Sequence, residues 1–317
     1  MKVLVVGAGA VGSVLGARLS SAGHEVELLS RPAHVAAIRV DGLRLEGAGG
    51  GVFRPSAITD FAQATRPDVV LLTVKTPDLG AVATKLGARF PTLVPTLLPQ
   101  NGLTAESLVV GPLRAAGGAD PGPWLVRAVN SIPATLVAPG VVRLAGDGEI
   151  VLRDPAVATP SSTSIAILRD LLARTGIRVR LVPDLERELW RKALINAAVN
   201  PVTALGGVVN GRLGDPPYRD EAHTLLREAQ RAAALAGFPF SDADADADLE
   251  RVIRATAENR SSMLQDVDRG RSTEVDAISG EIVRTARAHG VDLPATRAVV
   301  VRLEALARAR AGRTQPS

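Results

Sequence analysis

The chain has 317 residues, 46% of them hydrophobic and 22% charged, with 30 glycines, 21 prolines and no cysteine. That is the composition of a folded two-domain protein, and it excludes thiol nucleophiles, thiolate metal sites, iron–sulfur clusters and disulfides. A net charge of only +4, an aromatic content of 3% and basic residues scattered singly leave no footprint for nucleic acid.

The apolar N-terminus is broken by Gly7, Gly9 and Gly12, which argues against a secretory signal. No run approaches the ~18 apolar residues of a membrane span, so the expectation is a cytoplasmic protein with no membrane partner. Residues 3–6 are a short β-branched run of the kind buried in a parallel sheet. Residues 7–12 open a helix that Gly23 ends, and 25–29 supply a second strand. A strand, helix, strand unit of about 30 residues is the frame on which a dinucleotide fold begins. Residues 42–54 are glycine-rich and predict a hairpin, 69–74 a buried strand and 96–99 another. The glycine- and proline-rich stretch 115–123 predicts a long loop. From 127 to 153 short alternating runs, separated by Pro139-Gly140 and Asp147-Gly148, predict antiparallel strands; 165–175 predicts an amphipathic helix and 177–182 a last strand. Beyond Pro183 the texture changes: 185–310 has helical period throughout, and 311–317 reads as a frayed tail. The fold class expected is α/β, with an N-terminal Rossmann-type dinucleotide-binding domain over 1–183 followed by an all-α domain over 184–317.

Gly7-Ala8-Gly9-Ala10-Val11-Gly12 matches G-x-G-x-x-G between a strand and a helix. In that context the first glycine makes the turn, the second admits a pyrophosphate to the backbone, and the third lets the helix pack on the sheet. The end of the second strand chooses the nucleotide. NAD enzymes place an acid there for the ribose 2′-hydroxyl, but this chain reads Leu28-Leu29-Ser30-Arg31, a hydroxyl and a guanidinium suited to the 2′-phosphate of NADP. Lys75 and the amide pair Gln100-Asn101 ahead of Gly102 end successive strands, the side of an open sheet on which ligands lie.

Only four lysines, Lys2, Lys75, Lys85 and Lys192, stand among the 37 basic residues. Where charge alone is needed this chain uses arginine, so each lysine merits inspection. Lys192, Asn196 and Asn200 are spaced i, i+4, i+8, each about 40° round the helix from the last. Asparagine is a poor helix-interior residue, so these three form a polar stripe on an otherwise apolar helix, where a solvated face would carry Arg and Glu. Ser262-Met263-Leu264-Gln265 and Thr273-Glu274-Val275-Asp276 have the form of capping boxes. Asp and Ala alternate over 242–248, but Ala247 and Ile253 occupy the glycine and glutamate positions of a calcium loop, so these acids are read as opening a helix. His24, His34, His223 and His289 show no metal-ligand spacing, and no metal is expected.

With these blocks in place the chain resembles the ketopantoate reductase family (2-dehydropantoate 2-reductases). The resemblance is carried by the glycine loop, the Lys75 strand end, Gln100-Asn101-Gly102, K-x-x-x-N-x-x-x-N-P from Lys192 to Pro201, and S-S-M-x-Q-D with T-E-V-D between Ser261 and Asp276. It implies NADPH-dependent reduction of 2-dehydropantoate to pantoate, a step of pantothenate and coenzyme A biosynthesis. It further implies Lys192 as general acid and Glu274 as a second catalytic or substrate-binding group, with Asn101, Asn196, Asn200 and Ser262 on the substrate. Gly7, Ala8, Gly9, Ala10, Val11, Gly12, Arg31 and Lys75 would serve NADPH alongside Ser30, with Asn101 and Glu274 also reaching the cofactor. The partner implied is a small 2-oxo acid, and a homodimer is left open. Elementary chemistry agrees with the lysine: reducing a carbonyl requires a proton for the developing alkoxide, and an ammonium partly buried on an apolar helix can release one near neutral pH. A carboxylate beside it would raise its pKa, so Glu274 is expected to accept from a substrate hydroxyl. Two other readings remain: an NADP-linked reductase of another 2-oxo acid or β-hydroxy acid, and a dinucleotide-sensing protein. The latter would keep Gly7, Gly9, Gly12 and Arg31 but needs no Lys192 stripe.

Overall fold

Val3, Leu4, Val5 and Val6 are all buried, and a strand without a polar face requires cover on both sides. The computed structural model, which describes residues 1–117 and 120–311, supplies that cover. β1 (Lys2–Val6), α1 (Ala10–Ser21), β2 (Glu25–Leu29) and α2 (Pro32–Asp41) begin a doubly wound unit. The hairpin β3 (Leu43–Gly47) and β4 (Gly51–Phe53) and the short β5 (Ser56–Ile58) follow. Then come β6 (Val69–Leu72), α3 (Leu79–Arg89), β7 (Thr96–Leu98), α4 (Ala105–Gly117) and β8 (Leu125–Arg127).

The main sheet is parallel, in the order β5-β2-β1-β6-β7-β8, with Val3 opposite Val26 on one side and Val69 on the other. Strand order reverses between β1 and β6, the switch point at which an open sheet takes its ligand. On one face Val5, Leu28 and Leu71 pack with Val14, Leu15 and Leu19 of α1. On the other, Leu4, Val6 and Leu72 pack with Leu79 and Leu86 of α3 and Val109 and Leu113 of α4. The expected α/β architecture with a Rossmann-type sheet is thus present.

β9 (Val129–Asn130), β10 (Ala134–Ala138), β11 (Val141–Leu144), β12 (Glu149–Arg153), α5 (Ser162–Ala173) and β13 (Arg178–Val182) complete the unit. β10 and β11 are antiparallel, as are β9 and β12. However, β11 also pairs parallel to β3, and β12 parallel to β13; parallel joins need long crossovers that local alternation does not announce. Residues 73 and 74, expected in the sixth strand, leave it. Gln100 Nε2 donates to the carbonyls of Leu72 and Val74, while the Thr73 N–H still reaches Val6 O of β1 (2.8 Å). The stretch 115–123 begins as helix, since α4 runs through Gly117; residues 118 and 119, and 312–317 of the expected frayed tail, lie outside the described residues.

By contact the chain divides into residues 1–100 with 105–185, and 101–104 with the chain from Glu186. Among its described residues the second unit is helical: α6 (Leu185–Gly206), α7 (Tyr218–Leu235), α8 (Asp242–Ala255), α9 (Ser262–Asp268), α10 (Glu281–Ala288) and α11 (Pro294–Ala311). Its core joins Leu194, Ala198 and Val202 of α6 to Leu225 and Leu226 of α7, Leu249 of α8 and Ile282 of α10. α8 opens on Asp242 and Asp244 behind the Ser241 cap, whose hydroxyl accepts from Asp244 N (3.1 Å). No helix among the described residues is long and apolar enough to cross a membrane.

α11 starts at Pro294 on a buried carboxylate: Glu228 of α7 accepts from Ala295 N (3.0 Å), Thr296 N (2.7 Å) and Thr296 Oγ1 (2.7 Å). Glu228→Ala orphans three donors at once, and should lower unfolding stability by about 2–4 kcal/mol in chemical denaturation. Glu228→Gln, which keeps an acceptor oxygen, should lose less than half of that.

Candidate functional site

The glycine loop turns at the carboxyl end of β1. Gly7 has φ +93°, and a Cβ there would stand 2.6 Å from Val74 N. A Cβ at Gly12 would collide with Thr73 Oγ1 and stand 2.7 Å from Gly7 O. At Gly9 such an atom would meet only Gly7 O, at 3.9 Å. Sheet packing therefore demands Gly7 and Gly12 but not Gly9, and what Gly9 keeps clear is the space outside the loop. α1 begins with no side-chain cap and no acid in its first turn, so its leading amides, which have no acceptor within the helix, can face an anion. These residues fit a dinucleotide pyrophosphate.

At the end of β2, Ser30 N donates to Ile58 O (3.0 Å) and Ser30 Oγ to Ala8 O (3.3 Å). The hydroxyl proton expected for a phosphate thus braces the glycine loop instead. Arg31 is exposed and precedes Pro32 at the start of α2, its carbonyl accepting from His34 N and Val35 N. Lys75, half-buried, stands just beyond β6, and its carbonyl accepts from Asp78 N (2.9 Å).

The expected amide pair divides. Gln100 is buried in the first unit, its Nε2 spent on the Leu72 and Val74 carbonyls. Asn101 goes with the second unit. There Gly102, with φ +91°, packs so closely that a Cβ would stand 2.5 Å from Ala277 O, and Asn101 Nδ2 donates to Glu274 Oε2 at 3.3 Å. Glu274 precedes a π-helical turn, Asp276–Gly280, and its carbonyl accepts from Ile278 N (3.1 Å); such turns recur at functional sites. No capping box opens this segment as the sequence suggested.

α6 carries the stripe. Lys192 and Asn196 are half-buried and Asn200 is buried. Burial pushes the Lys192 ammonium down to about 8, and the Glu274 carboxylate opposes that fall. Glu274 therefore faces Lys192 electrostatically as well as Asn101 by hydrogen bond, more than the substrate-hydroxyl role expected for it. Desolvation outweighs the carboxylate, leaving the ammonium the charged form at neutral pH yet able to part with its proton.

The structure thus brings Asn101, Lys192 and Glu274 together and keeps Asn196 and Asn200 on the face of Lys192. Ser262 is exposed, the first residue of α9. The cap is its neighbour Ser261, which accepts from Leu264 N (3.1 Å) and is hydrogen-bonded by Thr203 Oγ1 (2.7 Å) of α6. One candidate escaped the sequence reading. Asn210 is buried, its Nδ2 donates to Thr256 Oγ1 (2.9 Å), and its Oδ1 is buried without a hydrogen-bond partner. In the sequence Asn210-Gly211 looks like an ordinary turn dipeptide.

The family described as "Ketopantoate reductase PanE/ApbA" matches residues 3–156, and "Ketopantoate reductase PanE/ApbA C terminal" matches 184–307. The 2-dehydropantoate 2-reductase of Archaeoglobus fulgidus is 33% identical over 94% of this chain and 95% of that protein; that of Halobacterium salinarum is 31% identical over 94% and 96%. Among solved structures, a PanE/ApbA family ketopantoate reductase from Ralstonia eutropha JMP134 superposes with TM-score 0.86 at 30% identity, over 98% of this chain and 99% of that one. D-Mandelate dehydrogenase with NADH and anilino(oxo)acetate superposes with TM-score 0.87 over 98% and 99%, but at 22% identity shares the fold alone. With both units matched and relatives aligned along nearly the whole length, the chain belongs to the ketopantoate reductase family, dinucleotide-dependent reductases of small molecules.

Proposed function

We propose that the chain reduces 2-dehydropantoate to pantoate with NADPH, a step of pantothenate and coenzyme A biosynthesis. The observation that carries the reading is Lys192: a half-buried ammonium whose desolvation brings it down to about 8, beside Glu274, on a helix face otherwise lined by neutral amides. A nicotinamide dinucleotide, when bound, would supply the hydride for the substrate's carbonyl carbon. Lys192 holds the carbonyl oxygen, stabilises the alkoxide and gives it the Nζ proton. Glu274 keeps that proton on Lys192 until charge develops on the substrate oxygen. Asn196 and Asn200 orient the substrate's carboxylate and hydroxyl groups without adding charge, with Ser262 a further contact and Asn101 shared between substrate and cofactor. Ser30 supports the glycine loop, and Arg31 and Lys75 take the dinucleotide's phosphates. The identity of the 2-oxo acid rests on the relatives, which are 2-dehydropantoate 2-reductases.

Four outcomes follow from this assignment. Gly9→Ala, whose Cβ would meet only Gly7 O at an ordinary van der Waals distance of 3.9 Å, should fold with its melting temperature nearly unchanged yet bind NADPH at least about tenfold more weakly by titration. Arg31→Ala should erase most of a preference for NADPH over NADH of about tenfold or more in the parent, and an unchanged ratio would remove Arg31 from the 2′-phosphate site. Lys192→Ala should lower kcat/KM for 2-dehydropantoate by about 10²-fold or more while NADPH affinity holds, and Lys192→Arg should not rescue it. The proton donor must be charged, so the parent's kcat/KM should be level below a pH of about 8 and fall above it. A limb of the same shape surviving in Lys192→Ala would assign it to another group.

A further inference from the structure

His34, in the first turn of α2, is buried, and no step of the reduction uses it. Its Nδ1 accepts the backbone N–H of Gly140 at 2.9 Å. A donor facing Nδ1 leaves the proton of a neutral imidazole on Nε2, and burial lowers the His34 pKa, which favours that neutral ring. Nε2 lies 3.1 Å from Ser13 Oγ, so the ring donates there. The Ser13 proton is then committed to Ala8 O, at 3.2 Å. With the other tautomer Ser13 would turn its proton to the ring and release Ala8. The far end of the relay is equally fixed. Gly140 has φ +76°, a Cβ on it would stand 3.0 Å from Ala37 Cβ of α2, and its carbonyl accepts from Arg44 N (2.8 Å).

Ala8 is the second residue of the glycine loop, and its carbonyl also receives the Ser30 hydroxyl (3.3 Å). Drawing this carbonyl inward sets the peptide plane between Ala8 and Gly9, the residue whose open side faces the dinucleotide. We infer that His34 is a positioning residue for the dinucleotide, acting through Ser13 to hold the glycine loop in the shape that presents the leading amides of α1 to a pyrophosphate. The relay acts on the loop that would meet the part common to both nicotinamide dinucleotides, whereas Arg31 would meet the 2′-phosphate. The inference rests on the reading of this loop as the dinucleotide site.

The test is equilibrium titration of the full chain with NADPH and, separately, NADH, for the parent, Ser13→Ala, His34→Asn and the double variant. Asn at 34 retains an acceptor for Gly140 N–H but cannot reach Ser13, and Ser13→Ala removes a single buried oxygen, so the second variant tests the relay even where the first fails to fold. Each single variant should raise Kd for both dinucleotides by roughly three- to tenfold, the range of one lost hydrogen bond, with the loss falling on dinucleotide binding rather than on kcat. The double variant should be no worse than Ser13→Ala alone, because His34 acts only through Ser13. A Kd within twofold of the parent in Ser13→Ala, effects that add in the double variant, or a loss confined to NADPH would each overturn the relay. A parent that binds neither dinucleotide would overturn the loop assignment as well.

Discussion

The first unit is organised by how closely β1 and β6 approach at their carboxyl ends. Thr73 donates its N–H to Val6 O at 2.8 Å and its hydroxyl to Gly7 O at 2.9 Å, and that hydroxyl lies where a side chain at residue 12 would begin. The backbone of Val74 closes on Gly7 in the same way. Two of the three motif glycines are consequently required by strand and helix packing whether or not a ligand is present, and only Gly9 is left for the ligand to explain. A glycine motif of this kind mixes a folding requirement with a binding one, which is why the string alone is weak and its context strong. Gln100 belongs to the same region: its Nε2 donates to the Leu72 and Val74 carbonyls where β6 ends.

In the second unit the governing balance is electrostatic. Burial on α6 disfavours the Lys192 ammonium and Glu274 favours it, and burial wins by enough to bring the group down to about 8. Under the proposed role of Lys192 as proton donor, either influence alone would serve poorly. Without the carboxylate, the amine would lose its charge further into the range where it must be protonated; without burial, it would hold its proton too firmly to act as an acid near neutral pH.

The sequence made the long-range plan legible wherever it is written in periodicity: the strands 3–6 and 25–29, the apolar run before Lys75, and the change to helix beyond Pro183. It also gathered Lys192, Asn196 and Asn200 on one face, because helical geometry fixes their spacing locally. The parallel pairing of β11 with β3 was invisible, since partners so distant in the chain leave no mark on local alternation. The same holds for Asn101, which joins Glu274 only through the excursion of residues 101–104 into the second unit, and for the assignment of the cap to Ser261 rather than Ser262, which depends on Thr203 reaching across from α6. Ser30 was recognised as a site residue, but its proton goes to Ala8, a direction only three-dimensional neighbours decide.

The choice of an amide at position 101 follows from the same charge balance. Gly102, pressed against the Ala277 carbonyl in a conformation with φ +91°, aims the preceding side chain at Glu274. A lysine or arginine there would form an ion pair with Glu274 and weaken its hold on Lys192, pushing that ammonium lower. A carboxylate would repel Glu274 and hold Lys192 too strongly. The Asn101 amide donates one neutral hydrogen bond to the carboxylate, satisfying an oxygen without competing for its charge. Asn196 and Asn200 obey the same restriction on the helix itself: they add polarity to the face of Lys192 without charge, and leave its proton to burial and to Glu274.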